Sequence, residues 1–204
     1  MKIIGISGSP TAVSRSGWLL DHFLSLVATE RPSLGPLQVL QPIIVRDLPA
    51  QALTLADFAS PDIREALARV AEADIVIIST PIYKAAYSGL LKIFLDLLPQ
   101  DGLQGKTVVA LATGGSVAHL LAVDYALKPV LSALGTRDIL DTVFGTDPQL
   151  PKQEGGGYAS TPEIDERLAR AADNLFKRIT PSLLARQSRR FGSHALPPGL
   201  RFSA

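Results

Sequence analysis

The segment Ser7-Gly8-Ser9-Pro10-Thr11-Ala12-Val13-Ser14-Arg15-Ser16 gathers hydroxyls, one glycine and one arginine just ahead of an amphipathic run. That set suits a phosphate. Hydroxyl and backbone N–H donors converge on it, a helix N-terminus favours its charge, and Arg15 can clamp it. The same residues read equally as a serine-rich turn with an ordinary N-cap. A second segment, Thr80-Pro81-Ile82-Tyr83-Lys84-Ala85-Ala86-Tyr87-Ser88-Gly89, is apolar and aromatic, which suits the flank of a flat heteroaromatic ring. Its plain alternative is that Tyr83 and Tyr87 pack on the core. In the third, Thr113-Gly114-Gly115-Ser116, two glycines let backbone lie against a ligand and offer N–H groups to it, or simply make a strand-to-helix turn.

These segments gain meaning from the elements that must carry them. Five strands are expected: Lys2 to Ser7, Leu37 to Val45, Asp74 to Ser79, Lys106 to Ala112 and Ile139 to Phe144. The third and fourth are almost continuously apolar, as strands covered on both faces are. Between them apolar residues recur at helical spacing: Leu19, Leu20, Phe23, Leu24 and Val27; then Ile63, Leu67 and Val70; then Tyr87, Leu90, Leu91, Phe94, Leu95 and Leu98, with Lys92 and Asp96 paired on the far side. A fourth helix is expected from about Ala118 to Leu134 and a fifth from Thr161 to about Ile179. Strands and helices in alternation predict an α/β, three-layer doubly wound, five-stranded parallel sheet. Ligands of such sheets sit at the carboxyl ends of the strands, where all three segments fall. Together they describe a mononucleotide site with a phosphate pocket and a ring slot. The loop lacks the spaced glycines of a dinucleotide fingerprint.

Composition narrows the function classes. The 204 residues, 47% hydrophobic, suit one domain over residues 1–180, followed by a basic, irregular tail over 181–204 with Arg186, Arg189, Arg190 and Arg201. A formal charge of +1 argues against a nucleic-acid partner. The chain has no cysteine, so disulfides, thiolate metal sites and a cysteine nucleophile are excluded. No apolar run is long enough for a membrane span, and a cytoplasmic protein is expected. Gly105-Lys106-Thr107 imitates the end of a P-loop, but Gln100 stands where its first glycine belongs and the motif precedes a strand. His22, His119 and His194 lack metal-ligand spacing, and no metal site is expected. His119 reads as a helix-start residue and Gly155-Gly156-Gly157 as a mobile connector. Pro129, mid-helix, removes the bond to the Tyr125 carbonyl, so a kink or π-bulge is expected near Tyr125.

The three loops, in this order, resemble the flavodoxin-like NADPH-dependent FMN reductase family, most closely the flavin reductase component of two-component alkanesulfonate monooxygenase systems. The resemblance also draws on the stretch from Ala112 to Leu131, covers roughly Met1 to Ile179, and implies strand order 2-1-3-4-5. It implies an FMN phosphate held by Ser9, Ser14, Arg15 and Ser16, an isoalloxazine ring against Pro81, Ile82, Tyr83 and Lys84, and Thr113, Gly114, Gly115 and Ser116 along its other edge. Tyr125 would be the inserted residue of a π-helix at a homo-oligomer interface, tetrameric or dimeric. Hydride would pass from NADPH, or NADH, to flavin N5 without a catalytic acid or base from the protein, and reduced FMN would go to a flavin-dependent monooxygenase in sulfur assimilation. Many members carry arginine where this chain has Thr11, so Arg15 is its one loop arginine. A quinone or azo-dye reductase with tightly bound FMN and a flavodoxin-type electron carrier are the alternative readings.

Overall fold

The computed structural model describes residues 1–29 and 37–192, with side chains described as far as residue 185. In chain order the strands are β1 (Lys2–Ser7), β2 (Gln38–Val39), β3 (Ile43–Ile44), β4 (Ile75–Tyr83), β5 (Ala86–Tyr87), β6 (Thr107–Gly114), β7 (Asp138–Ile139) and β8 (Val143–Thr146). They join in one sheet along the path β2-β1-β4-β6-β7, with β3 on β1, β5 on β4 and β8 on β6. Every pairing is parallel except that of β5 with β4.

Eight strands therefore stand where five were expected, and the reasons are local. Pro42 separates β2 from β3, and a proline has no N–H to give to a ladder. β7 and β8 are likewise separate pieces on the same neighbour, β6. β4 runs on past Ser79 to Tyr83 and folds back as a hairpin with β5, a turn that its continuous apolar run did not announce.

The covering helices are α1 (Arg15–Thr29), α2 (Ala50–Thr54), α3 (Pro61–Glu72), α4 (Gly89–Leu95), α5 (Lys128–Ala133) and α6 (Pro162–Gly192). Side chains alternate across the sheet with period two. Ile3, Ile75, Ile77, Val109 and Leu111 meet α1 and α6 on one face, whereas Ile4, Ile6, Val76, Ile78, Val108 and Ala110 meet α3, α4 and α5 on the other. The sheet is thus the middle layer of three, which explains why β4 and β6 are buried on both sides.

Three expected helices differ from their patterns: the third is shorter, since α4 spans only Gly89–Leu95 and Tyr87 belongs to β5. The fourth is broken into a 3-10 turn at Val117–His119, a π-helical turn at Val123–Leu127 and α5, with Pro129 in the first turn of α5, where its missing N–H does least harm. The irregularity anticipated near Tyr125 is this π-turn. The irregular tail from residue 181 is a correction: α6 continues to Gly192 with Pro181 inside it. A proline normally breaks a helix, but Leu183 extends the buried stripe of Leu175, Phe176 and Ile179 and offsets the lost bond by packing. The rest of the tail, 193–204, lies outside the described residues. No described helix is long and apolar enough to cross a membrane.

Candidate functional site

The first loop is held from below by two neighbouring strand ends. Gly8 N–H donates to the Ser79 carbonyl at 2.8 Å, and Ser88 Oγ donates to the Gly8 carbonyl at 2.5 Å. Ser79 Oγ in turn donates to the Ser16 carbonyl at 2.7 Å, tying β4 to the start of α1. Gly8 is required by contact: a Cβ there would lie 2.6 Å from Leu91 Cβ. Ser14 caps α1, its Oγ accepting from Gly17 N–H at 3.0 Å. The N-cap reading and the phosphate reading therefore fall on one residue. Ser9 Oγ, fully buried, accepts from Thr11 N–H at 3.3 Å. Ser16 Oγ is buried with no hydrogen-bond partner, a donor aimed at nothing the protein supplies.

The second wall is the β4–β5 hairpin. Its two-residue turn places Lys84 at φ 49° and Ala85 at φ 63°, a left-handed pair normally left to Asn and Gly. Such strain held by non-glycine residues is characteristic of ligand sites. The turn is anchored by Thr80, whose Oγ1 accepts from Ser88 N–H at 3.1 Å, and Ser88 Oγ also caps α4 by accepting from Leu91 N–H at 3.1 Å. Burial raises the Tyr87 phenol above its ordinary pKa; Lys92 opposes that shift and Asp96 reinforces it, so Tyr87 is a neutral phenol at physiological pH. The third wall is the end of β6. A Cβ at Gly114 would meet Phe144 Cζ at 2.9 Å, whereas Gly115 faces open space.

These walls enclose a cleft of about 350 Å³. Ser9, Ser14, Arg15 and Ser16 line it from the first loop, Pro81, Ile82 and Tyr83 from the second, and Thr113, Gly114 and Gly115 from the third. Lys84 and Ser116 are not brought to it: Lys84 sits at the tip of the hairpin and Ser116 precedes the 3-10 turn at Val117. Tyr83 is half exposed at the rim.

Four lining residues were missed: Thr11, Val13, Asp147 and Tyr158. Asp147 opens the turn after β8, and Tyr158 directly follows Gly155-Gly156-Gly157, which was read as a mobile connector. Those glycines form a hydrogen-bonded turn: Lys152 bridges Tyr158, Gln153 N–H donates to Gly157, and Gly156 and Gly157 take positive φ at the bend. The available signal was an aromatic next to the glycines, which gives a bend something to pack. Arg15 is the partner of this turn. Its Nε donates to the Leu150 carbonyl at 2.9 Å, its Nη1 lies 3.3 Å from Asp147 Oδ2, and its guanidinium stands 5.1 Å from the Tyr158 ring centroid. Arg46, from the turn after β3, reaches the loop from behind and donates to the Thr11 carbonyl at 3.0 Å. The two charged side chains among the described lining residues, Arg15 and Asp147, thus face each other.

A doubly wound parallel α/β protein with a hydroxyl-rich helix start, an apolar ring wall and a glycine edge in one cleft belongs to the class that binds a flat mononucleotide at strand ends. The family described as NADPH-dependent FMN reductase matches over residues 1–149, and the chain belongs to that family, which makes it an oxidoreductase acting with FMN and a reduced nicotinamide. It is similar to the FMN reductase (NADPH) of Pseudomonas putida, 45% identical over 169 residues, 82% of this chain and 83% of the relative. It is similar also to the FMN reductase (NADPH) of Escherichia coli K12, 43% identical over 88% of this chain and 90% of the relative. Among solved structures, the apo form of the NADH:FMN oxidoreductase EMOB superposes with a TM-score of 0.75 at 38% identity, covering 85% of this chain and 87% of the other.

Proposed function

We propose that the chain is an NAD(P)H-dependent FMN reductase that takes FMN as a substrate and supplies reduced FMN to a partner flavin-dependent monooxygenase, in a system that uses alkanesulfonates or related organosulfur compounds. The observation that carries the site assignment is Ser16 Oγ, buried and unpartnered beside Arg15 at the start of α1. An unpaired buried hydroxyl costs about 1–3 kcal/mol, and a ligand phosphate would satisfy it. The residues present fit FMN in the other respects too. Ser9, Ser14, Arg15 and Ser16 would hold the phosphate, Pro81, Ile82 and Tyr83 would flank the ring, and Thr113, Gly114 and Gly115 would present backbone to its polar edge. Lys84 and Ser116 would act from the rim.

When bound, FMN supplies a ring able to accept the hydride of a reduced nicotinamide. The protein's own part is to anchor, orient and leave one ring face open. Hydride transfer to the ring calls for no acid or base from the protein, and the charged lining pair Arg15 and Asp147 engage each other. NADPH is the favoured nicotinamide, with NADH as an alternative, because relatives named for each are similar to this chain. We read the interrupted pairs β2/β3 and β7/β8 as one strand each, which agrees with a flavodoxin-like order 2-1-3-4-5. We further assign residues 1–180 to the reductase domain proper. Val117, Leu120, Leu121 and Tyr125, all exposed within nine positions, support a homo-oligomeric contact around the π-turn, in a dimer or tetramer. A cytoplasmic location follows from the NADPH supply that the reaction draws on.

Sulfite release tests the supply role. Purified protein, NADPH, FMN and a flavin-dependent alkanesulfonate monooxygenase should together liberate sulfite from an alkanesulfonate, and omission of the protein should abolish it. NADPH consumption that requires a quinone or azo dye, with no sulfite formed, would move the assignment to an organic-acceptor reductase.

A further inference from the structure

The clamp residue of the phosphate loop is already spoken for. Arg15 spends Nε on the Leu150 carbonyl at 2.9 Å and Nη1 on Asp147 at 3.3 Å, while Tyr158 stands against the guanidinium. A guanidinium is at its strongest toward phosphate when two nitrogens act in parallel. Here Nη2 is unengaged, so an end-on grip through Nη1 and Nη2 is made beside the Asp147 carboxylate and in competition with it. Asp147 also lines the cleft itself, so an arriving phosphate meets a carboxylate at the mouth of its own site. Its side chain is half exposed and heads a three-residue 3-10 turn whose cap is made by Thr146 and Gln149, not by Asp147.

We propose that Asp147 is the residue that sets how loosely this chain holds the flavin phosphate: it competes for Arg15, repels the incoming charge and thereby keeps FMN an exchangeable substrate. The proposal rests on the reading of the Ser9 to Ser16 loop as the phosphate cradle. It assigns a role to the turn after β8 that none of the three strand-end loops performs.

The test is equilibrium binding of FMN and of riboflavin, which has the same ring and no phosphate, to flavin-free protein by quenching of flavin fluorescence. Asp147→Asn keeps the size of the side chain and removes its charge. It should tighten FMN binding about twofold to fivefold and leave riboflavin binding unchanged, the size expected of a partly exposed charge. The gain should shrink as salt rises, because the pair is open to solvent. Asp147→Glu, which keeps the charge, should bind FMN as the wild type does, and thermal melts of both variants guard against misfolding. An unchanged FMN constant in a folded Asp147→Asn protein overturns the proposal, as does an equal shift for FMN and riboflavin, which would mean that Asp147 contacts the ring or ribityl chain. If the wild type prefers FMN over riboflavin by no margin at all, the cradle reading itself fails, a result distinct from either of these.

Discussion

Ser88 Oγ and the Gly8 carbonyl, 80 positions apart in the chain, meet at 2.5 Å beneath the cleft, and the same Oγ accepts the Leu91 N–H that opens α4. One hydroxyl therefore joins the phosphate-type loop to the helix behind the ring wall. Ser88→Ala removes a cap and leaves a buried carbonyl unmet, which together cost about 2–3 kcal/mol. A fall in melting temperature of roughly 5–10 °C is expected for a chain of this length. Calorimetry checks the figure, and FMN binding should weaken with it because Gly8 loses its support.

Ser16→Ala separates binding from folding. The wild-type Oγ is buried without a partner, so its removal should not lower stability and should raise it by up to about 1–3 kcal/mol. FMN affinity should fall about tenfold to a hundredfold, as loss of a hydrogen bond to a charged group implies. Riboflavin affinity should not move. Loss of both affinities in parallel would place the hydroxyl elsewhere than at a phosphate.

The turn of the β4–β5 hairpin stores strain, with Lys84 and Ala85 both at positive φ. Replacing the pair with Asn-Gly, the residues that this turn type prefers, should stabilise the protein by about 1 kcal/mol, read as a rise of roughly 2–4 °C in a thermal melt. An unchanged melt would show that the surroundings, not the turn residues, carry the conformation.

Lys106 gives a pH signature. Its Nζ donates to the Ala71 and Ala73 carbonyls at 2.9 and 2.6 Å at the end of α3, and burial lowers its pKa, with Asp74 partly opposing. Between the lowered folded value and the ordinary value near ~10.4, the unfolded chain holds more protons on this group than the folded one. Stability relative to Lys106→Met should therefore rise with pH across that alkaline window and be flat below it. Urea titrations of both proteins at several alkaline pH values measure the difference; a difference that falls as pH rises would reverse the assignment of burial as the dominant cause.

Much of the cleft's lining was legible because three loops, each ambiguous alone, fall at the same end of one sheet. The apolar runs around Ile77 and Val109 announced doubly covered strands, and their ends placed the three loops side by side. Pro129 announced a disturbed helix near Tyr125, where the π-turn Val123–Leu127 lies. What escaped depends on tertiary contact. Asp147 and Tyr158 reach the cleft only because a glycine bend folds the turn after β8 back onto Arg15, and no periodicity records that. The resemblance implied Lys84 against the ring, whereas a two-residue hairpin turn holds it at the tip. The tail was read as irregular from residue 181, and the buried Leu183 carries α6 on through Pro181.

The most direct test of the account is NADPH oxidation by flavin-stripped protein in air, measured across a titration of free FMN. Flavin handled as an exchangeable substrate predicts almost no turnover without FMN and a rate that climbs and saturates as FMN is added. Protein that keeps its FMN through stripping and turns over at a rate independent of added FMN would contradict the account.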